Sequence, residues 1–489
     1  MKNYVITTTL PYSFGGRTKA LLRRTRLLNQ EINTNFILVS TNFNPNYEEV
    51  YKQYIEKEFV QPDTQFINIY DDLIPRSFPS SIVTHSISES GFKAEKLKKR
   101  NGYKLYKNRN YSMFKSFEYE GGQLKFIDYI RENTTDREYR DYYNKKGNKC
   151  RRIYYDENVH VYKEELFDAR GKVYLTKNLC QKNGVSVVNK ITLYKNYILK
   201  KTHEFESEND FFSFWYEKII EEGSNVICDA RKIDEALLNV RKNIKKIIQL
   251  HSNHKTISDY YSRSYIVRYA NRADKIIFLT EEQQLDFHRD TNSSKERLLT
   301  IPHYIEETSL QNTVRNKDSI CVISRLDPDK QIDHIILAFK KIQNKYPEKS
   351  LYIYGDGKDK KRLEELIISK GLFNSVKLMG RTENPDSVFQ ESAFSVFASK
   401  HEGVGLVILE SLNNGCPVVG YHTNYGPSDM IAHKENGFLV KYNDRFDLEE
   451  KMDLMIQSNI EKMSLRAVIL DRKFRKDSYV DNWKGVLGL

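Results

Sequence analysis

Cysteine is scarce and scattered: the 489 residues hold five, Cys150, Cys180, Cys228, Cys321 and Cys416. An odd count with no Cys-x-x-Cys pair argues against a disulfide scaffold or a structural zinc site and points to a reducing compartment. No run approaches the roughly 20 apolar residues of a membrane-spanning helix. The opening, Met1-Lys2-Asn3-Tyr4-Val5-Ile6, lacks the apolar core and small-residue cleavage site of a secretory leader and reads as a first β-strand. No internal repeat or low-complexity tract stands out, and 33 Tyr with 25 Phe argue against wide disorder.

What is present is length and positive charge. At about 100–200 residues per domain the chain has room for two to four units with buried cores. Lys and Arg total 78 against 66 Asp and Glu, a net charge of +12. That surplus favours a polyanionic partner: nucleic acid, anionic lipid or a phosphate polymer. An AT-rich genome would raise Lys equally well, so charge alone does not choose.

Three textures follow one another. Residues 1–80 alternate short apolar runs (4–8, 35–39) with a helical segment (18–28), the β-α-β signature of a parallel sheet. From about 85 to 205 short Tyr- and Phe-rich runs alternate with turns. Expected strands are 114–119, 124–130, 152–155, 159–162, 172–175 and 185–197. Gly121-Gly122, Asp156-Glu157-Asn158, Asp168-Ala169-Arg170-Gly171 and Lys182-Asn183-Gly184 punctuate them, which predicts an inserted antiparallel β-meander. From about 206 the strand–helix alternation resumes with strands at 226–229, 246–250 and 275–280. After a linker at 302–317 come six more, at 319–323, 351–354, 376–378, 395–398, 417–420 and 438–440. The helical segments 332–344, 358–370 and 406–413 lie between them, so a second doubly wound domain is expected. The tail, 470–489, with Phe474, Tyr479, Trp483 and Leu487, reads as a terminal amphipathic helix or helix pair.

The most specific chemistry lies in His401-Glu402-Gly403-Val404-Gly405-Leu406-Val407-Ile408-Leu409-Glu410. Its glycines let backbone N–H groups approach a ligand, and a helix starting near Leu406 offers a partly positive amino terminus to phosphate. Glu410 is placed to hold a ribose diol and Glu402 to face a reacting sugar; an ordinary Gly-rich turn with two surface acids reads the same in isolation. Ser324-Arg325-Leu326-Asp327-Pro328-Asp329-Lys330 joins a strand to a helix, where Arg325 and Lys330 can clamp a diphosphate, although taken alone the segment reads better as a solvated helix cap. Asp327 and Asp329 flank a proline at a helix start, so capping is preferred to metal binding. Tyr354-Gly355-Asp356-Gly357 and Asn424-Tyr425-Gly426-Pro427-Ser428-Asp429 follow strands of the same sheet. Four loops at one carboxyl edge make a joint nucleotide site far more persuasive than any one loop does.

Nearer the start, Ser13-Phe14-Gly15-Gly16-Arg17-Thr18 joins strand to helix, with paired glycines suited to a phosphate or a sugar, or simply to a tight turn. The following helix carries Lys19, Arg23, Arg24 and Arg26, either a groove for an anionic acceptor or a solvated basic face. In His251-Ser252-Asn253-His254 the i, i+3 histidines raise metal binding, but no third ligand has convincing spacing. His251 is taken as the site histidine and His254 as incidental.

Taken together, the segment 324–330, the Glu402/Glu410 spacing and the 424–428 loop resemble the C-terminal half of retaining glycosyltransferases with the GT-B fold, over roughly 245–445. The Gly-Gly-Arg-Thr-Lys segment, the aromatic β-insert and the Asn-Tyr-Gly-Pro-Ser-Asp loop narrow the resemblance to the wall teichoic acid α-glycosyltransferases of Gram-positive bacteria, nearest the poly(glycerol-phosphate) α-glucosyltransferases. The resemblance implies two Rossmann-like doubly wound domains and an inserted antiparallel β-meander. Residues 1–82 with 206–305 would form the acceptor domain, 83–205 the all-β module for oligomerisation or acceptor binding, and 306–468 the nucleotide-sugar domain. Residues 469–489 would be a helix packing back on the first domain. It further implies that Arg325 and Lys330 neutralise the UDP diphosphate, Glu410 holds the ribose, and Glu402 contacts the donor sugar near its 3- and 4-hydroxyls. Gly16 would leave room for the diphosphate and His251 would sit beside the sugar. Gly15, Gly355, Gly403, Gly405, Leu406 and Val407 would complete the nucleotide-binding set. Val404 is a departure, since such enzymes often carry Phe or Gln between the two glycines, and it bears on the donor sugar.

The expected reaction is transfer of glucose from UDP-glucose to poly(glycerol phosphate), with no metal or other cofactor. N-acetylglucosamine transfer to poly(ribitol phosphate), Ser-directed glycosylation of surface proteins and a non-catalytic polyanion-binding scaffold are the alternatives. The expected partners are a UDP-sugar and an anionic teichoic acid polymer, with no nucleic acid. The expected assembly is a homo-oligomer, favouring a trimer, in the cytoplasm, with peripheral association at the inner membrane face as the variant.

Overall fold

Hydrophobic periodicity decides the local structure. Ile332, Ile335, Ile336, Phe339 and Ile342 recur on one face of a single helix, Ile332–Lys345, and all are buried. The strand Ser392–Phe397 is buried at every position, as a parallel strand covered on both faces must be. The computed structural model describes residues 2–74, 82–97, 100–119, 122–195, 200–252, 254, 262–306, 308, 314–469 and 471–489. Among the expected elements, Gly121, residues 196–197, Asn253, residues 307 and 309–313, and Leu470 lie outside these. The chain divides into two compact units, Met1–Phe14 with Asn35–Ile244, and Gly15–Thr34 with Lys245–Leu489.

In the first unit the parallel strands Asn3–Thr7, Phe36–Ser40, Gln65–Asn68 and Asn225–Cys228 lie in the order 65–68, 36–40, 3–7, 225–228. Val5 pairs with Leu38 on one side and Ile227 on the other. Between the third and fourth of these strands the chain forms a ten-stranded antiparallel sheet, from Lys93–Lys96 to Lys200–Phe205, in which every strand pairs with its sequence neighbours. This is the expected meander. Its strands are longer than expected at several places, for instance Asn110–Phe117 and Val173–Lys182. At Asn183-Gly184 both residues have positive φ, 53° and 75°, the twist that a two-residue hairpin turn requires. Across the sheet Tyr129 stacks on Tyr139 at 4.4 Å, and Arg152 grips Asp141 through two hydrogen bonds of 2.6 and 2.8 Å.

In the second unit the six expected strands of the C-terminal run are all present: Asn316–Ile323, Ser350–Tyr354, Val376–Gly380, Ser392–Phe397, Val418–Tyr421 and Gly437–Val440. They form a parallel sheet in the order 376–380, 350–354, 316–323, 392–397, 418–421, 437–440. That is the 3-2-1-4-5-6 order of a Rossmann-like sheet, and its switch point falls between 316–323 and 392–397. Leu351, Ile353, Phe394, Leu448 and Met452 fill the core beneath helix Ile332–Lys345. Strands Lys245–Gln249, Lys275–Phe278 and Leu298–Thr300 pair in parallel.

Helix Lys476–Leu487 packs against helix Gly16–Ile32. Lys476 bridges to Glu31 at 2.6 Å and the Arg24 guanidinium lies 4.9 Å over the Trp483 ring. Arg24 is 2% exposed and also bonds the Gln249 side chain, so neither an acceptor groove nor a solvated face describes it. The covering helix makes it part of the core. No helix among the described residues is long and apolar enough to cross a membrane.

Candidate functional site

Parallel strands all point the same way, so their following loops gather at one edge of the sheet. At the switch point, residues 324–330 leave the first strand and 398–405 leave the fourth. Two contacts tie these loops together. The Lys400 N–H donates to the Asp329 carbonyl at 2.8 Å, and the Lys330 ammonium forms an ion pair with the Glu402 carboxylate. Both side chains are largely shielded, at 15% and 17% exposure, which strengthens their attraction relative to a surface pair.

Arg325 points elsewhere. Its side chain is 72% exposed and pairs with Asp327. Asp327 occupies the cap position of the short turn Pro328–Lys330 but makes no capping bond through its side chain. The expectation that Asp327 caps is therefore corrected: the guanidinium two residues earlier outcompetes the backbone N–H groups for the carboxylate.

The glycines have local explanations. A Cβ on Gly355 would stand 1.7 Å from the Ser324 carbonyl oxygen, and one on Gly357 2.3 Å from that of Leu326. The same loops are laced by the Ser324 N–H to the Tyr354 carbonyl and the Leu326 N–H to the Asp356 carbonyl, both 3.0 Å. Likewise a Cβ on Gly403 would meet the His251 carbonyl oxygen at 1.8 Å. Gly405, at φ 76°, is the N-cap of helix Leu406–Asn413. Val404 between them is buried beside Phe397 and Ile408. Its side chain faces the core, so it acts on the loop's shape.

Glu410 lies one turn into that helix and Lys19 one turn into helix Gly16–Ile32; they approach to 3.4 Å. A Cβ on Gly16 would be 3.9 Å from Leu406 Cδ1, while one on Gly15 would meet nothing within 4 Å. Two helix amino termini therefore converge where Gly15, Gly16, Leu406 and Glu410 meet, a partly positive setting for phosphate. Val407 packs its side chain among Cys321, Phe389 and Cys416, leaving its backbone as the group it can offer. Beside Glu410 lies a shallow cleft lined by Lys19, Arg23, His303, Tyr304, Leu406 and Tyr479, among others. Arg23 lies 4.8 Å over the Tyr304 ring, and burial pushes the Tyr304 hydroxyl pKa up.

His251 brings its backbone to Gly403 and its ring to His303, stacked at 5.7 Å. His254 is 1% exposed and bonds Asp290 through Nε2 at 2.8 Å, a structural histidine. Sequence reasoning passed over His303, inside the expected linker, and Asp286, which accepts a 2.8 Å bond from the buried Tyr425 hydroxyl. Neither stands in a recognisable motif; only the fold shows them. The geometry thus joins Lys330 to Glu402, Glu410 to Lys19 and the Gly15-Gly16 turn, and His251 to Gly403, and leaves Arg325 on the rim.

Residues 306–469 match the family Glycosyl transferases group 1, and residues 4–196 match Glycosyl transferase 1 domain A. A poly(glycerol-phosphate) α-glucosyltransferase of Bacillus subtilis is 27% identical across 99% of this chain and 74% of its own length. A poly(ribitol-phosphate) α-N-acetylglucosaminyltransferase of Staphylococcus aureus is 23% identical across 99% of this chain and 98% of its own. A crystal structure of an S. aureus TarM mutant with fondaparinux, α-GlcNAc-glycerol and UDP covers 100% of both chains, with a TM-score of 0.84 at 21% identity. The chain has the GT-B glycosyltransferase fold, and its resemblance to the wall teichoic acid α-glycosyltransferases extends over its whole length.

Proposed function

We propose that this chain is a retaining UDP-sugar transferase that moves glucose from UDP-glucose onto hydroxyls of poly(glycerol phosphate), forming α-linkages. The observation that carries the reading is the meeting of Lys330 and Glu402 at the switch point of a Rossmann-like sheet, with Glu410 on the helix that follows. The likeness to a poly(glycerol-phosphate) α-glucosyltransferase supports the choice of substrates.

In this reading the bond between the sugar's anomeric carbon and the β-phosphate oxygen breaks, and negative charge builds on UDP. Fixed positive groups aimed at that charge supply the largest catalytic term. Lys330, Arg325 swung from Asp327, and the amino terminus of helix Leu406–Asn413 are those groups. Glu410 takes the ribose diol, which requires it to leave Lys19. Glu402 orients the sugar hydroxyls, and His251 stands beside the sugar. The acceptor hydroxyl attacks from the face the phosphate leaves, and its proton passes to the departing β-phosphate oxygen. Sugar, proton and charge balance, and the α-configuration is kept. Gly15, Gly16, Gly405, Leu406 and Val407 line the nucleotide through their backbones, while Gly355 and Gly403 let the loops pack close enough to form the edge. The +12 charge suits a grip on a polymer with one negative charge per repeat. A trimer built through the β-module, the division into acceptor and nucleotide-sugar domains, and a cytoplasmic place against the membrane belong to the same proposal.

A second reading, N-acetylglucosamine transfer to poly(ribitol phosphate), is favoured by the likeness to the S. aureus relative. Radiolabelled UDP-glucose and UDP-N-acetylglucosamine, each offered with purified poly(glycerol phosphate), poly(ribitol phosphate) and a Ser-rich peptide, separate the readings. Glucose on poly(glycerol phosphate) is expected. Label on the peptide alone refutes both polymer readings, and no transfer or UDP-sugar hydrolysis above background leaves a binding scaffold.

A further inference from the structure

Helix Glu281–Thr291 carries no residue of the proposed site, yet one face of it holds the site's two flanking loops. Gln283, Asp286 and Asp290 are spaced i, i+3, i+7 and so share a face. Gln283 donates through Nε2 to the Ser252 carbonyl at 2.8 Å, and Asp290 bonds His254 at 2.8 Å. Between them Asp286, 6% exposed, accepts from the Tyr425 hydroxyl and pairs with the Arg289 guanidinium.

Each gripped loop touches the segment that bears Glu402. The Tyr425 N–H donates to the Glu402 carbonyl at 3.4 Å, and a Cβ on the next residue, Gly426, would lie 2.0 Å from the Val404 carbonyl oxygen. On the other side Gly403 abuts the His251 carbonyl, one residue before the Ser252 carbonyl that Gln283 holds. The Glu402–Gly405 backbone is thus clasped between two loops that one helix face ties down. Tyr425 is fully buried, so the lost hydroxyl bond has no solvent route to replacement.

We propose that Asp286, through Tyr425, is a positioning residue that sets the place of Glu402 without touching substrate. The inference rests on the proposed role of Glu402 at the donor sugar. A displacement of about 1 Å at a reacting centre costs on the order of 100-fold in rate.

The test compares wild type with Tyr425→Phe, Asp286→Asn and Asp286→Ala. For Tyr425→Phe, kcat for sugar transfer is expected to fall about 10- to 100-fold, while the Kd for UDP, to which Lys330, Glu410 and the Gly15-Gly16 turn contribute from outside the clasped segment, should weaken far less, by about twofold. The ratio of UDP-sugar hydrolysis to transfer should rise. Asp286→Asn, which keeps an acceptor for the hydroxyl, should retain more activity than Asp286→Ala. Hydrogen exchange should quicken at residues 402–405 and not at 350–354. Unchanged kcat, hydrolysis ratio and exchange in Tyr425→Phe would overturn the inference. So would losses of kcat and UDP binding in equal proportion, which mark a purely structural role. Absence of transfer by the wild type would instead refute the proposed function, and the exchange measurement would still decide whether the clasp exists.

Discussion

Lys330 and Glu402 stand 72 residues apart in the chain and meet as a shielded ion pair across the switch point of the six-stranded sheet. In the proposed reading Lys330 is the cation facing the departing diphosphate and Glu402 the carboxylate facing the sugar. Lys330→Ala is expected to lower transfer by about 10²–10³, the cost of removing one group that stabilises transition-state charge. Glu402→Ala should be equally severe. Arg325→Ala should also lose most turnover, with an unmoved melting temperature, because an exposed pair such as Arg325–Asp327 contributes about 0–1 kcal/mol. Steady-state kinetics beside thermal melts check all three; near-wild-type rates in Lys330→Ala or Arg325→Ala refute the clamp.

The glycines divide into those that serve the fold and those left open to a ligand. Gly403→Ala drives a methyl group into the His251 carbonyl oxygen and should lower the melting temperature by several degrees together with activity. Gly16→Ala meets only Leu406 Cδ1 at ordinary contact distance, and should fold at least as well as wild type. Its UDP affinity should nevertheless drop about tenfold or more if the diphosphate lies against that backbone. Calorimetric titration of UDP into both variants checks this; a Gly16→Ala protein that binds UDP normally removes Gly16 from the site.

A pH effect on stability is expected from the first unit. Asp234 is buried, and desolvation raises its pKa from 3.8 to about 7, with Arg231 opposing and the Cys228 thiol 3.6 Å from the carboxyl group. The folded protein therefore holds this proton more tightly than the unfolded chain does. The stabilising contribution is complete below about pH 4 and is lost as pH rises towards 7, at about 1.4 kcal/mol per unit. Asp234→Asn should flatten that part of the denaturation profile. A slope between pH 4 and 7 that the substitution leaves unchanged would contradict the assignment.

The polymer grip predicts a salt effect confined to long acceptors. Transfer to poly(glycerol phosphate) should weaken as ionic strength rises, because screening shortens the reach of the surplus positive charge. Hydrolysis of UDP-glucose in the absence of acceptor should change little. Equal sensitivity of the two reactions, or none in either, speaks against a polyanion-binding surface.

Much of this was legible because strand-turn-helix order carries direction. Once 316–323 and 392–397 are parallel strands, the loops bearing Lys330 and Glu402 have to share an edge. Asn-Gly and Asp-x-x-Gly turns likewise announced the meander, since each needs residues that tolerate positive φ. Side-chain partners were not legible. Nothing local tells Arg325 to choose Asp327, or Lys19 to reach Glu410 on another helix. Gly355 and Gly403 looked like room for a ligand, and neighbouring carbonyls occupy that room. Arg24 read as surface because the helix that covers it, Lys476–Leu487, lies over 450 residues further along. Asp286 sits in a polar helix with no motif around it, and its role emerges only from what Tyr425 touches.

The most direct measurement is label transfer from radioactive UDP-glucose to purified poly(glycerol phosphate) by wild type and by Lys330→Ala of matched melting temperature. Wild type should place α-linked glucose on the polymer and the variant should place about a hundredth as much or less. Equal labelling by the two proteins, or none by the wild type with any donor and acceptor offered, would contradict a sugar donor held between Lys330 and Glu402.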